Sequence, residues 1–335
     1  MQRKPQSVAS LNGDSAHCPY CAAKARLIVE SSDRNRRTTT DTFRYYQCVS
    51  CGLVFMSPIP DNLLPFYAGG YQPIPGSLAE LREIAAAERY RMIPILHHKR
   101  RGKLLEIGPW IGIFSCNAKA AGFEVTALEM DQKCVEFLNQ TVGVRAIQTS
   151  DPAVALAELR EQNHKFDVIA MWHSLEHLRN PWWVIEQAAD CLAPGGILLI
   201  AIPNIESFQF SVLRGTWKHL DTPRHLFFYP ADALIALCQR NGLFPLEITT
   251  ADELSADLGR DTWHSLANSL VPVRYLRGVL ARIMRYAAAR AEKRKNRGAG
   301  LTAVFQLGPA EAATRSEAYR AEPLAAVDPD PPRSD

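Results

Sequence analysis

Apolar runs recur along the middle of the chain and alternate with longer stretches in which apolar and polar residues are mixed. Short apolar runs of this kind are typical of buried strands, and the mixed stretches have the spacing of helices. Regular alternation of strand and helix predicts a parallel sheet in an α/β domain. The predicted strands lie near 103–107, 124–129, 144–148, 166–171, 196–202, 243–250 and 301–307.

Several other segments do not follow this alternation. A Pro-rich connector covers 57–76, and an Ala/Glu/Arg-rich helix, from about Ser77 to His98, leads into the sheet. The stretch 205–229 is too long for a simple connection and is therefore expected to be functional. Residues 264–297 are predicted to form a long amphipathic helix with an arginine-rich polar side. After Pro309 the chain is rich in Ala, Glu and Pro, which predicts disorder.

The composition is that of a globular protein. The chain has 335 residues, of which 47% are hydrophobic and 22% charged, and its net charge is +3. These values exclude a protein that is basic throughout, so only a local patch could bind nucleic acid or a membrane surface. No stretch has the roughly 18 consecutive apolar residues that a transmembrane helix needs. Residues 1–14 lack a signal-peptide core, so we expect a cytoplasmic protein whose cysteines are thiols or metal ligands.

Four of the eight cysteines form two C-x-x-C pairs, Cys18 with Cys21 and Cys48 with Cys51. Each pair presents two sulfurs from one tight turn, as tetrahedral zinc requires, so the spacing predicts one structural zinc site in a zinc ribbon. Two unrelated pairs of free thiols, or a redox-active pair, are the alternatives. The remaining cysteines lie in apolar or helical stretches and are predicted to be buried: Cys116, Cys134, Cys191 and Cys238.

The first predicted strand ends in a glycine-containing turn that opens a helix, with the pattern E-x-G-x-x-x-G from Glu106 to Gly112. The second strand ends on a carboxylate, Glu129. In doubly wound sheets such glycines let a nucleotide approach the backbone, and an acidic residue ending the next strand accepts hydrogen bonds from ribose hydroxyls. The pattern therefore predicts a nucleoside site at the carboxyl edge of the sheet.

Together with later motifs, this turn resembles that of the class I S-adenosylmethionine-dependent methyltransferases. The resemblance covers roughly 85–308 and rests also on Phe166-Asp167, Leu175-Glu176-His177-Leu178, Leu192-Ala193-Pro194-Gly195-Gly196, Pro203-Asn204 and Asp221-Thr222-Pro223-Arg224-His225-Leu226. The motifs C-P-x-C and C-x-x-C-G-L-V-F are similar to the zinc-binding module of members that act in sugar and cell-surface polysaccharide biosynthesis. Pro109-Trp110 departs from the family's usual Cys-Gly.

The resemblance implies an α/β fold, a Rossmann-like seven-stranded methyltransferase sheet with a small N-terminal zinc ribbon. The implied domains are the zinc ribbon at 1–60, a connector at 61–84, the S-adenosylmethionine-dependent methyltransferase domain at 85–308, and a disordered tail at 309–335. The cofactors expected are S-adenosylmethionine and a structural zinc ion.

The resemblance also assigns cofactor contacts residue by residue. Glu106 and Gly108 would line the methionine and ribose end, and Gly112 would let the following helix pack closely. Glu129 would hold the ribose hydroxyls, and Met130 would lie against adenine. Asp151 is a candidate for the adenine amino group, although Ser150-Asp151-Pro152 is equally a helix cap. Trp172, at the end of the fourth strand, would border the methyl donor.

Three histidines are candidate catalytic bases: His173, His177 and His225. A base is needed only if the acceptor must lose a proton, and an ordinary imidazole titrates close to neutral pH. His173, Glu176 and His177 could alternatively hold a divalent metal on one helical turn, as E-x-x-E-H does in some relatives. Glu176 and His177 could instead simply cap a helix, and the segment around His225 could be a structural lid.

Three functions remain open at this point. The favoured one is methyl transfer to a small-molecule, sugar or glycan acceptor. An RNA methyltransferase would use the ribbon and the 264–297 arginines to bind phosphates, but aromatic residues are not interleaved with those arginines, so nucleic acid is disfavoured. A cofactor-binding scaffold without activity is the third. The 264–297 helix could pack on the domain, lie on an anionic membrane surface, or mediate dimerisation.

Overall fold

Two sheets make up the fold. The structure, a computed structural model, describes residues 15–67, 73–270, 282, 286, 292 and 297–309. The strands are β1 (Ser15–His17), β2 (Lys24–Ser32), β3 (Thr42–Cys48), β4 (Val54–Met56), β5 (Gly102–Ile107), β6 (Phe123–Glu129), β7 (Arg145–Gln148), β8 (Phe166–Trp172), β9 (Leu192–Pro203), β10 (Phe227–Phe228), β11 (Leu243–Thr249) and β12 (Gly300–Leu307).

The helices lie mostly between the strands of the larger sheet. They are α1 (Leu78–Ala87), α2 (Ile93–Leu96), α3 (Ile113–Ala120), α4 (Gln132–Phe137), α5 (Pro152–Glu161), α6 (Pro181–Cys191), α7 (Phe208–Leu213), α8 (Ala231–Arg240) and α9 (Glu253–Leu270). Short 3₁₀ turns cover Leu64–Tyr67, Arg89–Met92, Leu175–His177, Arg214–Thr216 and Lys218–Leu220.

The larger sheet has seven strands in the order β11-β12-β9-β8-β5-β6-β7. Pairing is parallel from β9 to β7, whereas β12 runs antiparallel to both of its neighbours. The seven predicted strands and the α/β fold class are confirmed. Central strands buried on both faces account for the uninterrupted apolar runs, since Leu104, Leu105 and Ile169 are inaccessible to solvent.

The smaller sheet is antiparallel and has the order β1-β2-β3-β4-β10. Its last strand comes from the long 205–229 stretch, because Phe227 and Phe228 of β10 pair with Phe55 and Val54 of β4. One apolar core joins the two sheets, with Tyr45 of β3 in the same buried cluster as Leu105 and Ile169. We call residues 15–67 the N-terminal module.

Two helix predictions need correction. The helix expected over Ser77–His98 is broken, because a 3₁₀ turn at Arg89–Met92 separates α1 from α2. Pro94 lies in the first turn of α2, where the backbone N–H that proline lacks would have no helical partner in any case. Inside a longer helix the same proline would remove a hydrogen bond and clash with the preceding turn, so the helix from Ser77 cannot run through it. The helix expected from 264 begins at Glu253. Most of 271–296, and hence most of the predicted basic helix, lies outside the described residues, as does the predicted tail beyond Pro309.

The four scattered cysteines are buried as predicted. A membrane span would need a longer and more apolar helix than any in the described ranges.

Candidate active site

The turn between β5 and α3 is built on left-handed backbone conformations. Gly108, Trp110 and Gly112 have φ of 74°, 53° and 81°. A Cβ at Gly108 would lie 2.8 Å from Ser174 Cβ, and one at Gly112 would lie 2.4 Å from Leu138 Cδ2, so both positions require glycine. Trp110 occupies the position of the family's middle glycine and adopts the conformation that glycine favours. The unusual residue therefore keeps the turn's geometry at some cost in backbone strain.

Glu129 anchors this turn from the end of β6. Its Oε2 accepts from the Trp110 N–H at 2.8 Å, and its Oε1 accepts from the N–H groups of Met130 and Asp131 at 2.8 and 2.9 Å. Burial raises the pKa of Glu129, and the three backbone donors oppose that rise. A carboxylate has about four acceptor sites, so three donors leave room for about one more without rearrangement.

Glu106, at the end of β5, is buried and accepts from the Ser115 hydroxyl at 2.5 Å. Burial raises its pKa to about 7, although the Ser115 hydrogen bond and the positive charge of Arg91 act in the opposite direction. Near neutral pH this side chain therefore exists in both protonation states, and it borders the same turn as Glu129.

Several buried polar atoms at the carboxyl ends of β5 and β8 have no hydrogen-bond partner in the described part of the chain. They are Arg91 Nε, Trp172 Nε1, Ser174 Oγ and both carboxylate oxygens of Glu176, of which Oε1 lies 3.4 Å from His173 Nδ1 as an ion pair only. The Arg91 guanidinium lies 5.4 Å from the Trp172 ring centroid and forms an ion pair with Glu88. Leaving one such group unpaired costs about 1–3 kcal/mol. A cluster of them is best explained by a polar ligand that binds there.

Arg91 and Ser174 were not among the sequence-predicted site residues. Arg91 lies before the sheet, in a 3₁₀ turn with no motif, so no local signal identifies it. Ser174 follows β8 within the predicted histidine motif, and its contact with Gly108 appears only in three dimensions.

Glu176, His177 and His225 converge so that one ligand atom from each lies within 4.8 Å of the others. His173 approaches from another side, with Nδ1 at 3.4 Å from Glu176 Oε1. His225 therefore occupies the place in a three-residue set that the helical spacing had assigned to His173. Burial alone would raise the pKa of Glu176, but the contact with His173 and the neighbouring imidazoles hold this pKa below its usual value.

Backbone carbonyls fix the protonated nitrogen in two of the imidazoles. His177 Nδ1 lies 3.0 Å from Arg224 O, and His225 Nδ1 lies 2.9 Å from His219 O. A carbonyl only accepts, which favours a hydrogen on each Nδ1. The Tyr67 hydroxyl also lies 3.1 Å from His177 Nδ1, and Asp221 Oδ2 lies 3.9 Å from His225 Nε2. Burial, reinforced by His177, lowers the pKa of His225 to about 4, so this imidazole is neutral at pH 7.

The remaining predicted contacts are at the rim. Met130 follows Glu129 and is 51% exposed, which leaves its side chain open to a ligand. The Asp151 carboxylate accepts from the Ala153 N–H at 3.0 Å and caps α5. This is the helix-cap alternative considered for Asp151, and the cap leaves the second carboxylate oxygen available.

The four cysteines of the N-terminal module come together. Cys18 Sγ lies 3.7 Å from Cys51 Sγ, and Cys21 Sγ lies 3.4 Å from Cys48 Sγ. Four sulfurs at about 2.3 Å from a zinc ion in tetrahedral geometry would be about 3.8 Å apart, so the donor set fits such an ion. The N–H groups of Ser50 and Cys51 both donate to Cys48 Sγ at 3.4 Å.

Comparison with known proteins agrees with this geometry. A family described as "Methyltransferase domain" matches residues 78–248, which is about half of the chain. A ubiquinone biosynthesis O-methyltransferase of Caulobacter sp. (strain K31) is 30% identical over 103 residues, covering 30% of this chain and 41% of that protein. Another, from Bordetella bronchiseptica, is 26% identical over 150 residues, covering 43% and 62%. The chain thus spans less than two thirds of the length of either relative.

The chain also superposes on solved structures of other proteins. A SAM-dependent methyltransferase from Archaeoglobus fulgidus superposes with a TM-score of 0.47 at 14% identity, covering 66% of this chain and 94% of that one. An S-adenosylmethionine-dependent methyltransferase from Mesorhizobium loti superposes with a TM-score of 0.42 at 14% identity, covering 68% and 99%. The family match and the seven-stranded sheet together establish that the chain belongs to the methyltransferase-domain family, as a class I S-adenosylmethionine-dependent methyltransferase.

Proposed function

We propose that this chain transfers a methyl group from S-adenosylmethionine to a small-molecule acceptor at the carboxyl ends of β5 and β8. The observation that carries the proposal is the cluster of buried polar atoms around Trp172, Ser174 and Glu176 that have no hydrogen-bond partner among the described residues. It borders the left-handed turn that Glu129 anchors, so a nucleoside ligand and an acceptor would meet there. S-adenosylmethionine supplies an electrophilic sulfonium methyl, and the protein must orient the acceptor and exclude water.

The cofactor contacts follow from charge and position. Glu129 would accept from a ribose hydroxyl through its remaining acceptor capacity, and exposed Met130 would cover adenine. Glu106 and the backbone at Gly108 and Gly112 would line the opposite side of the turn. Trp172 would border the methyl donor.

Arg91 is the cation best placed for the carboxylate of the methionine moiety, since its buried Nε lacks a partner in the described ranges. Asp151 would bind the adenine amino group with the oxygen that does not cap α5.

The histidine cluster would serve the acceptor. One ring nitrogen each of His177 and His225 lies within 4.8 Å of a Glu176 carboxylate oxygen, His225 Nε2 also lies 3.9 Å from Asp221 Oδ2, and His173 contacts the Glu176 carboxylate. An imidazole stabilised by a neighbouring carboxylate can take a proton from an acceptor hydroxyl. The same three ligand atoms of Glu176, His177 and His225 also fit a divalent cation, which is the alternative interpretation of the cluster.

A small-molecule acceptor is favoured because the relatives carry the name ubiquinone biosynthesis O-methyltransferase. The motif resemblance to sugar and polysaccharide enzymes supports a sugar or glycan as the more specific acceptor. Methylation of RNA would depend on the basic segment within 264–297, and peripheral membrane contact would depend on the same segment. A scaffold without activity finds less support, because Trp110 adopts the backbone conformation that the turn needs.

The N-terminal module would carry one structural zinc on Cys18, Cys21, Cys48 and Cys51. The sulfur separations of 3.7 and 3.4 Å support this, and four protein ligands leave no open position for catalysis. We propose a ribbon within 1–60. The methyltransferase domain would cover 85–308, and the hydrogen bond that the Asn117 side chain donates to Ala85 O at 2.8 Å supports the inclusion of Ala85.

The proposal is tested in two steps. Calorimetry should detect S-adenosylmethionine binding and little or no NAD binding. A screen of phenolic, sugar and glycan acceptors with labelled S-adenosylmethionine should then identify the acceptor class. A preference for NAD would overturn the assignment.

With an acceptor in hand, His177→Gln and His225→Gln should lower kcat by about 10²–10⁴-fold if a base is needed, without weakening cofactor binding. His164→Gln is the matched control, because His164 lies at the amino end of β8, away from the site. Loss of activity on chelation, restored by a divalent metal, would favour the metal interpretation of the cluster.

A further inference from the structure

Arg224 joins the N-terminal module to the segment that carries His225. Its side chain is inaccessible to solvent. Nη2 donates to Asp33 Oδ1 at 3.0 Å and to Asp221 Oδ1 at 2.7 Å, and Nε donates to Asp221 Oδ2 at 2.9 Å. Nη1 donates to Phe66 O at 3.2 Å. Asp33 is likewise buried, so the module contributes one carboxylate of a buried three-residue ion network.

Three further contacts from the module hold the same segment. The buried Tyr45 hydroxyl donates to His225 O at 3.0 Å and lies 3.1 Å from Thr222 Oγ1. The Met56 N–H donates to Leu226 O at 2.8 Å, immediately before β10 pairs with β4. The module therefore contacts the segment on both sides of His225.

The held segment in turn determines which nitrogen of the imidazoles is protonated. Arg224 O accepts from His177 Nδ1, and His225 is fixed at both its carbonyl and its Nδ1. The Leu226 N–H also donates to Glu176 O at 2.7 Å, which ties the segment to the 3₁₀ turn that carries Glu176 and His177. A shift of residues 222–226 would thus move Arg224 O, the acceptor of His177 Nδ1, and would move the His225 ring away from its own acceptor, His219 O.

We propose that Asp33 and Tyr45 of the N-terminal module are positioning residues for the His177–His225 pair. Asp33 acts through Arg224, and Tyr45 acts through the backbone of His225. The inference rests on the proposed function, because it treats the pair as the acceptor-side machinery. It gives the module a role in the reaction beyond carrying a metal ion, namely to maintain the Nδ1-protonated tautomers beside Glu176.

An ion pair that only stabilises the fold would leave the tautomers unchanged in any variant that stays folded. The experiment therefore measures tautomers directly, by ¹⁵N NMR of protein labelled at histidine. The chain has 9 histidines, and the signals of the two rings are assigned by their loss in His177→Gln and His225→Gln. In the wild type both rings should show a protonated Nδ1 and an unprotonated Nε2.

Asp33→Asn keeps the shape and removes the charge opposite Arg224. The His177 ring should shift toward a mixture of Nδ1- and Nε2-protonated forms, and Asp33→Glu should restore the wild-type pattern in part. Tyr45→Phe removes one hydroxyl and should shift or broaden the His225 signals. The matched control is Glu30→Gln, which breaks the exposed pair with Arg44 in the same module and should change neither ring.

Unchanged tautomers of both rings in folded Asp33→Asn and Tyr45→Phe would overturn the proposal. If Asp33→Asn does not fold, Tyr45→Phe alone decides, because it leaves the ion network intact. The NMR readout needs neither cofactor nor acceptor, so failure of the proposed function would appear separately, as absent S-adenosylmethionine binding by the wild type. In a working enzyme both variants should keep wild-type cofactor affinity within about twofold while kcat falls.

Discussion

Replacement of Glu129 by Gln tests the cofactor site most directly. The carboxylate accepts three backbone hydrogen bonds, one from Trp110 through Oε2 and two from Met130 and Asp131 through Oε1. A glutamine amide can keep its oxygen on the side with two donors, which turns its NH₂ group toward the Trp110 N–H. The variant therefore loses both the hydrogen bond with the Trp110 N–H and the charged acceptor for the ribose hydroxyl.

The size of the effect can be worked out from the hydrogen bonds that the substitution removes. A hydrogen bond to a charged group contributes about 1.5–3 kcal/mol, so removal of the ribose hydrogen bond alone should weaken S-adenosylmethionine binding about tenfold to a hundredfold. Loss of the hydrogen bond between the Trp110 N–H and Glu129 should also lower the free energy of unfolding, by about 1–3 kcal/mol. Calorimetry with S-adenosylmethionine and S-adenosylhomocysteine measures the first quantity, and urea unfolding measures the second.

Asp131→Asn is the matched control for this prediction. Asp131 is two residues away and caps α4 through its contacts with the N–H groups of Lys133 and Cys134. Asparagine caps helices about as well as aspartate, so this change removes a nearby charge but keeps the cap. Cofactor affinity should change less than about twofold. Equal affinities of wild type and Glu129→Gln, with both proteins folded, would refute the assignment of Glu129 to the ribose.

Three further predictions concern other parts of the molecule. Metal analysis should give about one zinc per chain, and Cys48→Ala/Cys51→Ala should abolish it; an unchanged content would contradict the tetrahedral site. Burial raises the pKa of Glu106 to about 7, so the folded state binds more protons than the unfolded state between about pH 4.3 and 7, and stability should fall as pH rises through that window. Between pH 5 and pH 8, urea unfolding should show that the free energy of unfolding falls by at most about 3 kcal/mol because of Glu106, and Glu106→Gln should lack this fall. Equal pH dependence in the two proteins would contradict a raised pKa for Glu106. If residues 264–297 contact membranes, the protein should co-sediment with anionic vesicles at low salt but not with neutral ones. Replacement of four arginines of this segment by Gln should abolish the co-sedimentation: Arg274, Arg277, Arg282 and Arg285.

The sequence patterns predicted those features of the fold and the site that depend on residues close together in the chain. All seven strands of the large sheet were predicted, and the apolar runs were clearest for the central strands, which are buried on both faces, whereas the edge strands β7 and β11 are largely half-buried or exposed. The glycine turn and Glu129 were also predictable, since the turn and the next strand end are adjacent in any doubly wound sheet. The antiparallel direction of β12 was not predictable, because the apolar pattern of a strand is the same in either direction.

The site residues that escaped prediction are brought together by tertiary packing alone. Helical spacing grouped His173 with Glu176 and His177, yet His225 completes the three-residue set from a distant segment. Arg91 lies in a 3₁₀ turn without a motif, and Asp33 reaches the site only through Arg224. The interruption of the predicted Ser77–His98 helix was foreseeable from Pro94, whose effect on helix continuity is local.

The pairing of β10 with β4 also bears on the order in which the molecule folds. Phe227 and Phe228 are synthesised long after β1–β4, and most of the large sheet lies between them in the chain. Contacts of such large sequence separation form late and slow folding. During synthesis the backbone groups at the edge of β4 would remain unpaired until β10 is made, and an unpaired strand edge favours mispairing with other chains. Early capture of a metal ion by the four cysteines would give those strands local order while they wait for their last neighbour.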